Sequence, residues 1–356
     1  MRAKVIALSP SDTVKEALAV INTNRIVLVF DGGGNLLGTV TDGDIRRALL
    51  KGLDLEAPLE KVYHRDPITC PASASREHLL RVALEHEIYQ IPLVDEKGKV
   101  VAIELIEDLL KPGIRPNRVV IMAGGLGTRL RPLTDDTPKP LLKIDGKPIL
   151  EKIVVDFVRQ GFRKITLCVN YKAEMIEEYF GDGSRFNAQI TYLKEDKRLG
   201  TAGALSALKE EVKEPMVVMN GDILTNLDFG ELLKFHLTQN AVATMGVREY
   251  EVQVPYGVVK VDGTRITGID EKPLHTFYIS SGIYVLSPEA LDYIPSGCFY
   301  DMPELFERLI AERRHCAPYP IREYWLDIGN INDFRRANES PEIARIMMNY
   351  RRKERD

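Results

Sequence analysis

The sequence predicts an α/β domain preceded by a smaller, duplicated α+β unit, and three observations carry that reading. From Arg118 onward, short apolar runs alternate with helical patterns: RVVIMAGG, ILEKIVVDFVRQG, KITLCVNY and EMIEEYFGDG. Such alternation marks a parallel sheet whose connecting helices cover both faces. Upstream, IVLVFDGGGNLLGTVTDGDI aligns without gaps on QIPLVDEKGKVVAIELIEDL at a shift of 64 positions, an internal repeat. Between the two regions Pro112, Gly113 and Pro116 interrupt every periodic pattern, so the chain divides there. The expected organisation is a first repeat over residues 1–57, a second over 58–115, and a large domain with a C-terminal helix over 116–356.

In each repeat a helical stretch, VKEALAVI or HLLRVALEH, precedes a strand, a glycine turn, a second strand and a second helix. Asp31 falls on Asp95, Gly34 on Gly98, Leu36 on Val100 and Asp44 on Asp108. The element GTVTDGDI, from Gly38 to Ile45, resembles the turn-strand-helix core of CBS (cystathionine β-synthase-like) domains, and the duplication resembles a tandem CBS pair. That resemblance implies a site for an adenosine nucleotide, with Thr41, Asp44 and Asp108 as its ligand residues. A carboxylate suits a ribose because it accepts from both hydroxyls. The second copy departs from the pattern, with Leu105 in place of Thr41 and Ala102 in place of Gly38. Two plainer roles stay open: Asp44 as a helix cap, and the whole pair as a stabilising or dimerising module.

The large domain opens on VVIMAGGLGTRLRPLTDDTPKPLL, ending at Leu142. Val119, Val120 and Ile121 read as a buried strand, followed at once by Gly124, Gly125 and Gly127. Glycines in such a loop let backbone N–H groups approach phosphate oxygens. Arg129, Arg131, Lys139 and Lys143 add positive charge within one short segment. No Gly-Lys-Ser/Thr ending follows, and G-x-G-x-x-G is absent, so neither a Walker A loop nor a dinucleotide fingerprint fits. The run does match G-G-x-G-T-R-L-x-P-L-T-x-x-x-P-K-P-L at every fixed position from Gly124 to Leu141, and so resembles the signature of sugar-phosphate nucleotidyltransferases.

The resemblance implies a Rossmann-like domain of the GT-A type, an NTP and a sugar-1-phosphate as substrates, and Mg2+ as cofactor. Ala123, Gly124, Gly125, Gly127 and Thr128 would bind the nucleotide, and Arg129 and Lys139 would be catalytic cations. Further motifs follow in the family's order. VVMNGDIL ends a strand at Asp222, and YWLDIGNINDF carries Asp327; together they match the family's metal carboxylates. Mg2+ typically takes one or two protein carboxylates plus phosphate oxygens and water.

KEDKRLGTAGAL places Glu195 five positions before Gly200 and six before Thr201, where the family faces the base. Guanine offers two adjacent donors that a carboxylate accepts together, whereas uracil and thymine suit an amide side chain better. Glu195 therefore tilts the choice toward GTP, unless it merely pairs with Lys194 or Lys197 at the surface. EKP places Glu271 and Lys272 at the sugar and its phosphate, and PYGVV adds Tyr256 and Gly257. SSGIYVL matches a further sugar-contact strand, with Ser281 where Asn is commoner.

Composition narrows the surroundings of this chemistry. An apolar fraction of 44% and a charged fraction of 28% over 356 residues are ordinary for a soluble globular protein. The net charge of −4 argues against nucleic acid or anionic membrane as a partner. Basic residues Arg351, Arg352, Lys353 and Arg355 near the end read as a solvated helix end. Cys70, Cys168, Cys298 and Cys316 lie far apart, which fits neither a zinc site nor a disulfide framework. With no long apolar run and no signal-peptide pattern, the expected location is cytoplasmic. A CBS pair ahead of the transferase resembles the glucosamine-1-phosphate guanylyltransferases of bacterial legionaminic acid synthesis, with homo-oligomers expected. Mannose- or heptose-1-phosphate guanylyltransferases and thymidylyl- or uridylyltransferases are the alternatives within the class. A non-catalytic nucleotide sensor is the alternative outside it.

Overall fold

The computed structural model describes residues 6–110 and 112–339. The basic residues from Arg351 onward lie outside the described residues, as does the chain's last stretch after Glu339. The chain forms two compact units, Met1–Pro112 and Gly113–Asp356.

The first unit bears the mark of its duplication in its hydrogen bonds. Helix Val14–Asn24 leads into strands Ile26–Phe30 and Leu36–Thr41 and helix Asp42–Leu50. The second copy repeats this with Arg76–Glu85, Gln90–Val94, Val100–Leu105 and Ile106–Leu110. Asp31 accepts from the N–H of Gly33 (2.9 Å) and Asn35 (2.8 Å); Asp95 accepts from Lys97 and Lys99, both at 2.9 Å. These matched turns place Gly34 at φ 73° and Gly98 at φ 75°, which explains why glycine recurs there. Each copy has its own core, one around Val27, Val29, Val40 and Ile45, the other around Leu79, Ile91, Leu93 and Ala102. Ile26, Leu28 and Ile103 are buried between them.

The second unit is built on a seven-stranded sheet. Its spatial order is Gln189–Lys194, Phe162–Val169, Arg115–Met122, Met216–Asn220, Leu274–Leu286, Ala243–Gln253 and Cys316–Pro320. The first four strands are mutually parallel, as the alternating sequence pattern implies. The sheet as a whole is mixed, because Leu274–Leu286 runs antiparallel to both neighbours. It does so because it returns directly from Ala243–Gln253 through a hairpin, and only a crossover connection could have made it parallel.

Val119, Val120 and Ile121 are all fully buried, which happens only in a strand covered on both faces. Val119 and Ile121 face one apolar layer with Phe157 and Phe229, whereas Val120 faces the other with Leu205 and Leu305. Cys168, also fully buried, is a core strand residue as expected. The outer parts of Ala243–Gln253 and Leu274–Leu286 form a ribbon carrying a small hairpin, Val258–Asp262 with Arg265–Asp270. No described helix is long and apolar enough to cross a membrane.

Candidate active site

The parallel strands Arg115–Met122 and Met216–Asn220 end side by side, and their following loops make the site. In sheets of this kind ligands bind beyond such strand ends. Two of the loop glycines have distinct physical reasons. Gly127 is left-handed (φ 64°), and a Cβ there would lie 2.8 Å from Cγ2 of Thr134. The Thr134 hydroxyl in turn donates to the Gly127 carbonyl at 2.8 Å. Gly127 is therefore required by packing. Around Gly125, by contrast, a Cβ would meet nothing within 4 Å. Its missing side chain leaves open space at the mouth of the loop, as a ligand cradle would.

Gly221 rests on this loop: its N–H donates to the Met122 carbonyl at 2.9 Å, and a Cβ would lie 2.8 Å from that oxygen. That close approach brings Asp222 to the glycine loop. Strand Ile223–Thr225 pairs antiparallel with Trp325–Asp327, and Ile328 N–H donates to the Asp222 carbonyl at 3.0 Å. Asp222 and Asp327 are thereby neighbours although 105 residues apart in sequence. Burial, then the nearby Asp222 charge, pushes the Asp327 carboxyl above its ordinary value, with Lys139 and Arg129 opposing the shift. Lys139 forms an ion pair with Asp222. Two crowded carboxylates with cations nearby are chemically suited to a divalent ion that phosphate oxygens and water complete. Among the described residues no group of three or more His, Cys, Asp or Glu side chains is placed to hold a metal ion.

A cavity of about 400 Å3 lies at this junction, lined by Ala123, Gly125, Gly127, Thr128, Arg129, Lys139, Arg198, Asp222 and their neighbours. The structure thus brings together most of the residues expected at the phosphates. Arg198, within KEDKRLGTAGAL, also lines the cavity, at a position to which the motif assigns no phosphate contact. Arg131 pairs instead with Asp135 at 3.4 Å, and Lys143 does not line the cavity.

Other expectations need correction. Glu195 does not line the cavity; it is partly buried, which raises its carboxyl, and it accepts from Leu199 N–H at 3.0 Å. Its surface pairing with Lys194 does not form, because Lys194 pairs with Glu177 at 2.8 Å. Gly200 (φ 77°) packs against Tyr300, where a Cβ would lie 2.6 Å from the carbonyl. Thr201 donates to Asp301 through its N–H (2.8 Å) and hydroxyl (3.0 Å), and accepts from Met302 N–H. Both residues therefore anchor the loop on helix Met302–Ala311 rather than line the cavity.

Ser281 is buried, with its hydroxyl donated to the Gly246 carbonyl at 2.8 Å, so its side chain is occupied in the core. Tyr256, Gly257, Glu271 and Lys272 meet where the ribbon joins the hairpin. A Cβ on Gly257 would lie 3.0 Å from Glu271 Oε2, but none of the four lines the 400 Å3 cavity.

The first unit holds a separate cleft of about 610 Å3, lined by Arg25, Thr39, Thr41, Asp42, Arg47, His64, Tyr89 and others from both copies. Thr41 is where the sequence placed it. Asp44 is not a lining residue: its carboxylate accepts from the Thr41 N–H (2.8 Å) and hydroxyl (2.7 Å), a reciprocal helix cap. Asp108 does not line the cleft either. Asp42 and Arg47 lie on the helix that follows Thr41, and His64 on the strand paired with Thr39; no motif position pointed to these three.

Residues 118–342 match the nucleotidyl transferase family, and residues 1–51 and 59–111 match the CBS domain. A UTP--glucose-1-phosphate uridylyltransferase from Synechocystis sp. is 37% identical over 238 residues, covering 61% of each chain. A mannose-1-phosphate guanyltransferase from Yarrowia lipolytica is 36% identical over 224 residues, covering 60% of this chain and 61% of its own. The chain therefore spans about six tenths of the length of these curated relatives. The crystal structure of HddC from Yersinia pseudotuberculosis is 30% identical, with a TM-score of 0.50 over 63% of this chain and 98% of that one.

Proposed function

The chain belongs to the nucleotidyl transferase family, and on that premise we propose that it transfers GMP from GTP to glucosamine-1-phosphate, releasing pyrophosphate. The observation that carries the reaction class is the cavity in which an open glycine loop, Arg129, Lys139 and Asp222 converge, with Asp327 alongside. The guanine assignment rests on the carboxylate at position 195, and the sugar on the resemblance in domain order. A uridylyltransferase is the competing reading, favoured by the 37% identity to the uridylyltransferase relative and by Glu195 standing outside the cavity.

The chemistry asks for positioning more than for acid–base work. An oxygen of the sugar-1-phosphate attacks the α-phosphorus in line, and no general base is needed because the attacker is already an anion. The loop N–H groups and Arg129 hold the phosphates, which offsets the repulsion between two anions. Lys139, beside Asp222, supplies charge at the transferring phosphoryl group. Lys272 would grip the attacking phosphate and Glu271 the sugar hydroxyls. Asp222 and Asp327 would hold Mg2+, which, when bound, neutralises phosphate charge.

The cleft in the first unit would take an adenosine nucleotide, with Thr41 and Arg47 near its polar groups. The decisive assay is pyrophosphate release with Mg2+, crossing GTP, UTP, dTTP, CTP and ATP with glucosamine-, N-acetylglucosamine-, glucose- and mannose-1-phosphate. Turnover confined to GTP and glucosamine-1-phosphate supports the full reading. A preference for UTP or dTTP keeps the reaction and refutes the base. Silence across the matrix, with nucleotide binding intact, makes the chain a nucleotide sensor.

A further inference from the structure

The cations that line the 400 Å3 cavity are not equivalent. Lys139 is ion-paired with Asp222. Arg129 faces Asp327 across Gly329: a Cβ on that glycine would lie 3.7 Å from both Arg129 Nη1 and Asp327 Oδ2. Arg198 also lines the cavity; like Arg129 it makes no hydrogen bond or ion pair among the described residues, and its charge acts on the Glu195 carboxyl, opposing the rise that burial causes there.

Its loop is nonetheless held at both ends. Glu195 N–H donates to the Val169 carbonyl at 3.0 Å, Asn170 Nδ2 donates to the Glu195 carbonyl at 2.6 Å, and Leu199 N–H donates back to the Glu195 carboxylate. Beyond it, Gly200 and Thr201 are fixed on Tyr300 and Asp301. A guanidinium on a braced loop, sharing a cavity with a glycine loop, is a pre-formed fork for phosphate oxygens.

From this arrangement we infer that Arg198 is a further catalytic residue, which binds the β- and γ-phosphates and stabilises them as they leave. The inference rests on the nucleotidyltransferase reading of this cavity. In the transfer a bond forms between a sugar-1-phosphate oxygen and the α-phosphorus. The bond from the α-phosphorus to the bridging oxygen breaks, and its electron pair departs with pyrophosphate. Negative charge therefore grows on the leaving group, where a pre-positioned cation acts most strongly. Arg198 is assigned to the leaving group rather than the attacking phosphate because Tyr256, Glu271 and Lys272 do not line this cavity.

The test is calorimetric titration of inorganic pyrophosphate with Mg2+, and separately of GMP, into the full-length wild type and the Arg198→Ala, Arg198→Lys and Lys197→Ala variants. Lys197 is exposed on the same loop but does not line the cavity, so its variant removes equal charge from the wrong place. Arg198→Ala is expected to weaken pyrophosphate binding at least about tenfold and to lower kcat by about 10²–10³. GMP affinity and the KM for the sugar-1-phosphate stay unchanged, Arg198→Lys falls between, and Lys197→Ala matches the wild type. Unchanged pyrophosphate affinity in Arg198→Ala overturns the inference. So does an equal loss of GMP binding, which would mean that Arg198 only supports the loop, and so does an equal effect of Lys197→Ala. A wild type that binds neither pyrophosphate nor GMP refutes the underlying reading instead, and that failure is visible before any variant is made.

Discussion

Gly125 and Gly127 lie two residues apart, yet alanine at each position should fail in a different way. At Gly127 the added methyl enters a left-handed backbone and meets Thr134 Cγ2 at 2.8 Å. The conformational cost alone is about 1–2 kcal/mol, and for a domain of this size each kcal/mol lowers Tm by about 2–4 °C. Gly127→Ala should therefore melt about 2–8 °C below the wild type. At Gly125 nothing lies within 4 Å of the added methyl, and φ is not in the left-handed region. Gly125→Ala should keep its Tm, within the roughly 0.5 kcal/mol range of neutral substitutions. If phosphate oxygens occupy that space, the methyl displaces them from the loop N–H groups. Losing one charge-assisted hydrogen bond of about 1.5–3 kcal/mol weakens the triphosphate by about one to two orders of magnitude. Differential scanning fluorimetry with and without GTP·Mg2+ reads both quantities in one experiment. A Gly125→Ala protein that melts normally and is still fully stabilised by the nucleotide would refute the cradle.

Three further outcomes are expected. Asp222→Asn and Asp327→Asn should each lower kcat/KM by about 10²–10³ and raise the Mg2+ concentration needed for half-maximal rate, measured by pyrophosphate release. Burial pushes the Asp156 carboxyl up to about 7 from an ordinary 3.8, so the folded protein keeps a proton that the unfolded chain releases. Stability should therefore fall as pH rises from about 4 to about 7, by at most about 4 kcal/mol. Asp156→Asn, which can still accept from Gln160 Nε2, should flatten that slope in denaturant titrations. In the first unit, Thr41→Val and Arg47→Ala should each weaken AMP, ADP or ATP binding at least about tenfold, whereas Asp44→Ala should cost about 1 kcal/mol of thermal stability through its lost cap.

The features legible in the sequence were those whose physics is local. A strand buried on both faces needs consecutive apolar residues, and Val119 to Ile121 supply them. A left-handed turn favours glycine, and Gly34, Gly98 and Gly127 stand at such turns. A phosphate loop needs closely spaced glycines and cations, so the lining from Ala123 to Lys139 could be read in one pass. Residue type alone did not say what each side chain would contact. Asp44 and Thr201 carry the right groups for a ligand, but a helix end lay nearer and took their hydrogen bonds. Ser281 had the right place in its motif, yet its strand turns the hydroxyl onto Gly246. The converse case is Arg198, which no spacing rule singled out. Arg131 pairs with Asp135, whereas Arg198 lines the cavity and makes no ion pair, its loop neighbour Glu195 accepting from Leu199 N–H instead; that is a property of the folded loop. A cation beside a glycine loop is informative for its place rather than for lacking a partner: its guanidinium donors open onto the same cavity as the loop, and a ligand's phosphates are the natural anions to meet both.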